Sequence, residues 1–127
     1  MKNFLLIVTF LVFGIQSMSA QDRDKKIEAL KIAFLTEKLQ LSPSEAKEFW
    51  PVYNNYQKEV QNLRSDARGG DVLENEQKLL DIRKKYKPSF EKILGAPKVN
   101  TLYNSEKEFR NILIKRLKNQ QRGNQPL

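Results

Sequence analysis

Residues 41–51 read LSPSEAKEFWP and have the pattern of a helix start. Ser42 predicts an N-cap, with Pro43 at the first helical position, where its missing N–H costs nothing. Glu45 can reach back to the Ser42 N–H, which predicts a capping box, and Leu41 can pack on the first turn. Apolar residues then alternate at spacings of three and four, which predicts a buried seam along a long helix. The seam comprises Ala46, Phe49, Tyr53, Tyr56, Val60, Leu63 and Ala67.

The first 20 residues have the pattern of a secretory signal peptide. Lys2 precedes an apolar run over residues 4–15, and small and polar residues follow up to Ala20. As a helix this run spans only about 18 Å, against about 30 Å for the apolar core of a bilayer. We therefore expect cleavage after Ala20 and a periplasmic location. The 127 residues include no cysteine, so stability must come from helix packing, with or without a homodimer.

The rest of the chain predicts an all-α fold of four long helices in two antiparallel hairpins, forming an extended bundle. The helices are expected at residues 22–40, 43–68, 72–94 and 97–119. Together they form a single helical domain over residues 21–119. The polar residues 120–127 are expected to form a disordered tail.

Two prolines fall inside predicted helices. Pro51 lies in the second helix and Pro88 in the third, and the apolar stripe keeps its phase across each of them. Proline removes one backbone hydrogen bond and pushes on the preceding turn. We therefore expect a bend in a continuous helix at both positions.

A loose internal repeat links two segments of the chain. Residues 41–50 can be laid on residues 94–103, where a leucine, a nearby proline and a final apolar pair recur after 53 residues. Both segments mark a junction between two helices. The repeat is too loose to prove a duplication, but it is consistent with two similar helical hairpins.

Two features of the first half are candidates for binding a partner. The first helix has one apolar stripe at Ile27, Leu30 and Phe34, and another at Ile32, Leu35 and Leu39. Either both stripes pack inside one bundle, or the second faces another subunit or a bound client. Trp50 lies off the seam of the second helix. It either covers the junction with the first helix or is an exposed anchor for a partner.

Positive charge is concentrated in the second half. Residues 21–82 hold 10 Lys/Arg and 12 Asp/Glu, whereas residues 83–127 hold 12 Lys/Arg and 3 Asp/Glu. The excess is either an ordinary solvated surface or a face for acidic protein segments or anionic lipid head groups. The candidate partner-binding cations are Arg83, Lys84, Lys87, Arg110, Lys115 and Arg116.

The chain offers little catalytic chemistry. It has no histidine or cysteine, and both methionines lie in the signal region. The usual bases, thiol nucleophiles and soft metal ligands are therefore missing, and we expect no enzyme activity, cofactor or metal. No nucleic-acid recognition module is visible, so the positive charge alone does not predict DNA or RNA binding.

Residues 41–45 resemble the L-T-x-x-Q motif of Spy/CpxP-type periplasmic proteins, with Ser for Thr and Glu for Gln. Residues 31–56 and 106–110 are similar to a Bacteroidetes branch whose members are often labelled sensors of an extracytoplasmic-function sigma factor. The second motif copy, at residues 94–98, keeps only the leucine. The resemblance implies a thin four-helix protein, often a cradle-shaped dimer, that binds unfolded or signalling proteins without ATP. Some relatives sense metals through His or Met, and this function cannot be carried over.

Two functions remain open from the sequence. The first is an ATP-independent chaperone-like or envelope-stress protein that binds unfolded or partner proteins through a basic and apolar surface. The second is a soluble regulatory sensor that docks on one anti-sigma or membrane partner. Contact with an anionic membrane surface, without insertion, is a third hypothesis.

Overall fold

The computed structural model describes residues 20–123, which form four α-helices and no strand. The helices are α1 (Ala20–Leu39), α2 (Pro43–Asp66), α3 (Val72–Leu94) and α4 (Ala96–Gly123). The predicted all-α class is confirmed. The predicted signal peptide lies outside the described residues except for Ala20, which begins α1. The bounds of α3 are those predicted, and both prolines lie inside continuous helices. The bends at these prolines stay a prediction.

The chain divides into two compact units, one ending at Ile32 and the other beginning at Ala33. The described part of the first unit is the N-terminal portion of α1, whose residues 21–30 are exposed. The aromatic core and the capped start of α2 both belong to the second unit.

The start of α2 is capped as the sequence predicts. The Glu45 backbone N–H donates to Ser42 Oγ at 3.1 Å, and the Ser42 N–H donates to Glu45 Oε1 at 3.2 Å. A contact from a distant helix adds to this capping box, because Lys98 Nζ lies 3.1 Å from Glu45 Oε2. The capping residues therefore also join the start of α2 to the start of α4.

The core is aromatic and is centred on α2. Phe49 and Tyr53 stack with their ring centroids 5.2 Å apart, and Phe90 of α3 packs edge-on against Tyr56 at 5.6 Å. The predicted seam is confirmed, since its central residues are buried. The buried apolar core of the second unit comprises Leu35, Leu39, Phe49, Tyr53, Tyr56, Val60, Phe90, Leu94, Val99, Leu102 and Phe109.

Contacts along α2 fix the directions of its neighbours. Tyr56 meets Tyr86, and Glu59 pairs with Lys85 at 2.7 Å, so sequence numbers rise on one helix as they fall on the other. This pattern is that of antiparallel helices. The two hairpins expected from the sequence, α1 with α2 and α3 with α4, stay a prediction.

The contacts between α2 and α4 indicate the opposite relative direction. Glu45 pairs with Lys98 and Tyr53 bonds to Glu106, and each pair is separated by 53 residues in sequence. The two helices therefore run parallel, and equivalent positions of the repeat face each other. The 53-residue repeat predicted from sequence is a spatial relation in the fold.

The end of α4 differs from the prediction. We expected the helix to stop near residue 119 and a disordered tail to begin at residue 120, but the helix continues to Gly123. Glutamine and arginine are good helix formers, so a polar and exposed sequence can extend the helix without burying anything. Residues 124–127 lie outside the described part of the chain.

We expect Ser42→Ala to lower the free energy of unfolding by roughly 0.5–2 kcal/mol, because it removes the acceptor for the Glu45 N–H. Urea unfolding followed by circular dichroism measures the change. Ser89→Ala is the matched control, since Ser89 is exposed in the middle of α3. An equal loss in both variants would contradict the assigned role of the cap.

The charge of Glu45 gives a pH-dependent prediction. Its hydrogen bonds with Lys98 and then with Ser42 hold the pKa of Glu45 below its ordinary value of 4.5. A lowered folded-state pKa adds stability above the unfolded pKa, and this contribution is lost as the pH falls through the folded-state value. We expect Glu45→Gln to lower the melting temperature at about pH 7 and to have little effect near pH 3. Glu48→Gln, in the next turn and exposed, is the control.

Candidate partner-binding surface

A buried carboxylate lies between α2 and α4. Glu106 is only 7% exposed, and its two oxygens accept three hydrogen bonds from α2. Tyr53 and Tyr56 donate their hydroxyls at 3.1 Å, and Gln57 donates its amide at 3.1 Å. Burying a charge is costly unless it is paired and hydrogen-bonded, so these donors are what allow a carboxylate in this position.

Arg83 of α3 extends this cluster. Its Nε donates to the Tyr56 hydroxyl at 3.4 Å, and its guanidinium lies 5.5 Å from the ring centroid of Tyr103. The Tyr103 hydroxyl in turn donates to the Arg83 carbonyl at 3.2 Å. Arg83 was predicted to be a partner-binding cation. That role stays a prediction, and the structure adds that the side chain is half-buried and contacts two aromatic residues of the same chain.

The tyrosines of the cluster stay protonated. Burial, and next the charge of Glu106, raises the pKa of Tyr53, of Tyr56 and of Tyr103 above the ordinary value of 10.0. They therefore remain hydroxyl donors at physiological pH. The cluster joins three helices, and each of its polar groups described above is used by another group of the same chain.

Glu106 was not identified as a site residue from the sequence, although its position in the apolar stripe of α4 indicated one. The apolar stripe of α4 has a gap between Leu102 and Phe109, and Glu106 occupies it at the regular spacing. A charged residue at a stripe position predicts a partner on the facing helix. The residue 53 positions earlier, Tyr53, is that partner.

The prediction that Leu35 and Leu39 belong to an open partner-binding stripe on the first helix is wrong. Leu35 and Leu39 are fully buried in the core, so they do not form an open surface. They are covered because the end of α1 packs on α4, where the rings of Phe34 and Phe109 lie 5.5 Å apart. Ile32 belongs to the first unit and is exposed.

Trp50 is neither fully covered nor fully exposed, so neither of the two roles predicted for it is excluded. Its indole is half-buried and packs edge-on against Phe49 at 4.9 Å and Tyr53 at 5.6 Å. The ring therefore covers the aromatic core and keeps one part at the surface.

Most of the predicted cations are exposed. Lys84, Lys87, Lys115 and Arg116 are exposed, and Arg110 is half-buried. Lys87 lies 3.7 Å from Glu91 in a surface pair, which contributes little to stability.

Exposed aliphatic residues on α3 were not identified as a site from the sequence. Leu73 is 75% exposed and Leu80 is 43% exposed. At about 100° per residue, both lie on one side of the helix with Lys84 and Lys87. We call these four residues the α3 surface. Their spacing of seven, four and three was a readable signal, but they sit outside the longer stripe that packs inward.

An open cavity of about 400 Å³ lies near the α3 surface, between the end of α2 and the start of α3. Its lining is mostly apolar and includes Leu63, Ala67, Val72 and Leu79. Among residues 20–123, no group of acidic side chains could hold a metal ion. None of the helices described has the length and apolar content needed to cross a bilayer.

The chain matches no protein-family model, no curated protein and no solved structure.

We expect Glu106→Ala to lower the free energy of unfolding by about 2–4 kcal/mol, because it leaves buried donors without an acceptor. A double-mutant cycle with Tyr53→Phe should give a coupling energy of about 0.5–3 kcal/mol. Urea unfolding measures all the variants. Glu108→Ala is the control, because its partner Lys38 lies in an exposed ion pair worth less than about 1 kcal/mol. A cycle with no coupling would contradict the role assigned to Glu106.

Proposed function

We propose that this protein is an ATP-independent, chaperone-like protein of the periplasm that holds unfolded or partner proteins on the α3 surface. The observation that carries the proposal is the exposure of Leu73 and Leu80 beside Lys84 and Lys87. The similarity of residues 41–45 to the Spy/CpxP motif supports it. Export through residues 1–20, with cleavage after Ala20, is part of the same proposal.

The proposed mechanism combines long-range attraction with weak apolar contact. Lys84 and Lys87 of the α3 surface raise the rate at which acidic, partly unfolded segments arrive. Burying a whole leucine side chain is worth about 1.5–3 kcal/mol, and two that are covered only in part give less than twice that. Such a contact captures a client without retaining it for long, since affinity is governed mostly by dissociation. No nucleotide is needed for release.

A second candidate function is that of a regulatory sensor that docks on one anti-sigma or membrane partner. The cavity beside Val72 favours this function, because a defined apolar hollow can receive a specific side chain of one partner. Affinity capture after mild cross-linking separates the two functions. Recovery of one stoichiometric partner would support the sensor, whereas many substoichiometric clients would support the chaperone.

The chaperone proposal is tested by suppression of aggregation. An unfolded client of acidic net charge is diluted into low-salt buffer with or without the protein. We expect Leu73→Ser with Leu80→Ser to raise the concentration that gives half suppression about tenfold, which corresponds to about 1.4 kcal/mol. Both residues are exposed, so folding is retained and is checked by circular dichroism.

The charge contribution is tested in the same assay. Lys84→Gln with Lys87→Gln should slow capture, whereas the exposed pair Lys47→Gln with Lys58→Gln should not. Suppression should also weaken at about 0.5 M salt, where screening acts over a few ångströms. Wild-type protein that fails to suppress aggregation at low salt would refute the proposal.

A further inference from the structure

The last ten residues of α4 form an exposed and strongly basic helix. Every residue from 114 to 123 is exposed, whereas Ile112 and Leu113 just before them are half-buried. We call residues 114–123 the α4 segment. At about 1.5 Å per residue it is roughly 15 Å long. Four of its ten residues are cations and none is acidic. The cations are Lys115, Arg116, Lys118 and Arg122.

The α4 segment has an apolar side as well. Ile114 is 50% exposed and Leu117 is 59% exposed. Their spacing of three places them next to each other on one side of the helix. At about 100° per residue, three of the cations follow on one flank and Arg116 lies on the other. Long Lys and Arg side chains can lie along a surface and extend their charges to either side.

From this arrangement we infer that the α4 segment docks the protein on an anionic bilayer surface. An aliphatic pair flanked by cations on a solvent-exposed helix is the pattern of a segment that lies in the plane of a membrane interface. The charge of this part of α4 is complementary to an anionic surface, because residues 109–123 include five Lys or Arg and no acidic residue. The helix would lie along the head groups and would not cross the bilayer.

A bilayer fits this segment better than a peptide or a second copy of the chain. All ten residues are exposed, so no neighbouring helix forms a groove along the segment for an extended peptide. The side chains of its cations make no ion pair with any residue in the range 20–123. They are solvated charges that suit a mobile array of anionic head groups. In a second copy, at least five of the fifteen carboxylates already pair with lysines of the same chain and Glu106 is buried. The others are fixed on a protein surface, whereas anionic head groups can move to meet the cations.

This inference goes beyond the proposed function and uses a different surface. The α3 surface would hold clients, while the α4 segment would keep the protein at a membrane. Variants can therefore separate the two. Leu73→Ser with Leu80→Ser should lose client suppression and keep vesicle binding.

The test is co-sedimentation with vesicles. The protein is expressed with its own N-terminal segment and recovered after processing, because the apolar residues 4–15 would themselves enter a bilayer. One set of vesicles is phosphatidylcholine alone, and the other contains about 30% phosphatidylglycerol as the anionic lipid. We expect binding to the anionic vesicles only, and weakening of this binding as salt is raised.

The decisive comparison is between two triple variants of equal net charge. Each cation near an anionic surface contributes roughly a fivefold change in partitioning, so Lys115→Gln, Arg116→Gln and Lys118→Gln together should weaken binding about a hundredfold. The control combines Lys47→Gln, Lys58→Gln and Lys92→Gln, all exposed and all outside α4. Binding of the control should change by less than about threefold, because its α4 segment is intact. Ile114→Ser with Leu117→Ser tests the apolar side and should also weaken binding.

Three results would overturn the inference. The first is equal binding of wild-type protein to neutral and anionic vesicles, or no binding to either. The second is an equal loss in both triple variants, which would assign binding to net charge and not to the α4 segment. The third is displacement from anionic vesicles by a soluble polyglutamate peptide at a lower molar concentration of carboxylate than of anionic lipid. That result would assign the segment to acidic peptides.

Discussion

The arrangement of α2, α3 and α4 depends on the hydrogen bonds that the buried carboxylate of Glu106 accepts. Its donors lie on one face of α2, at Tyr53, Tyr56 and Gln57, so α4 can pack against α2 with its charge satisfied in one register. A slide toward Phe49 would place the charge among ring carbons, where nothing can donate to it. Single polar residues in helical interfaces fix register in this way, at a cost in stability that the rest of the core must offset.

The parts of the fold that could be predicted are those whose signals are local. The capping box depends on three neighbouring residues, Ser42, Pro43 and Glu45, and the structure has it as the sequence predicts. The bounds of α3 follow from Asp71, whose side chain accepts from Leu73 N–H, and from Gly95, whose φ of 85° suits glycine. Caps and helix stops are decided within one turn, so sequence alone is enough to place them.

What could not be predicted is which apolar or charged side chains find a partner in space. Leu35 and Leu39 formed a second stripe that could equally be open or closed, and only packing of α1 on α4 decides that they are buried. Arg83 belongs to a run of cations in the sequence, yet its side chain contacts the ring of Tyr103 and the hydroxyl of Tyr56. Periodicity identifies the faces of a helix, but it does not say which face another helix will cover.

The need for a buried polar group to face a complementary partner explains why the two halves of the internal repeat differ in sequence and yet lie close in space. Because α2 and α4 run parallel at an offset of 53 residues, equivalent positions face each other across the interface. Two identical charged residues there would repel, so facing positions must be complementary. Glu45 therefore meets Lys98, and Tyr53 meets Glu106. Positions that need only bulk, such as Phe49 and its equivalent Leu102, remain apolar and are fully buried. The repeat is hardest to recognise in sequence at the positions where its two halves are in direct polar contact.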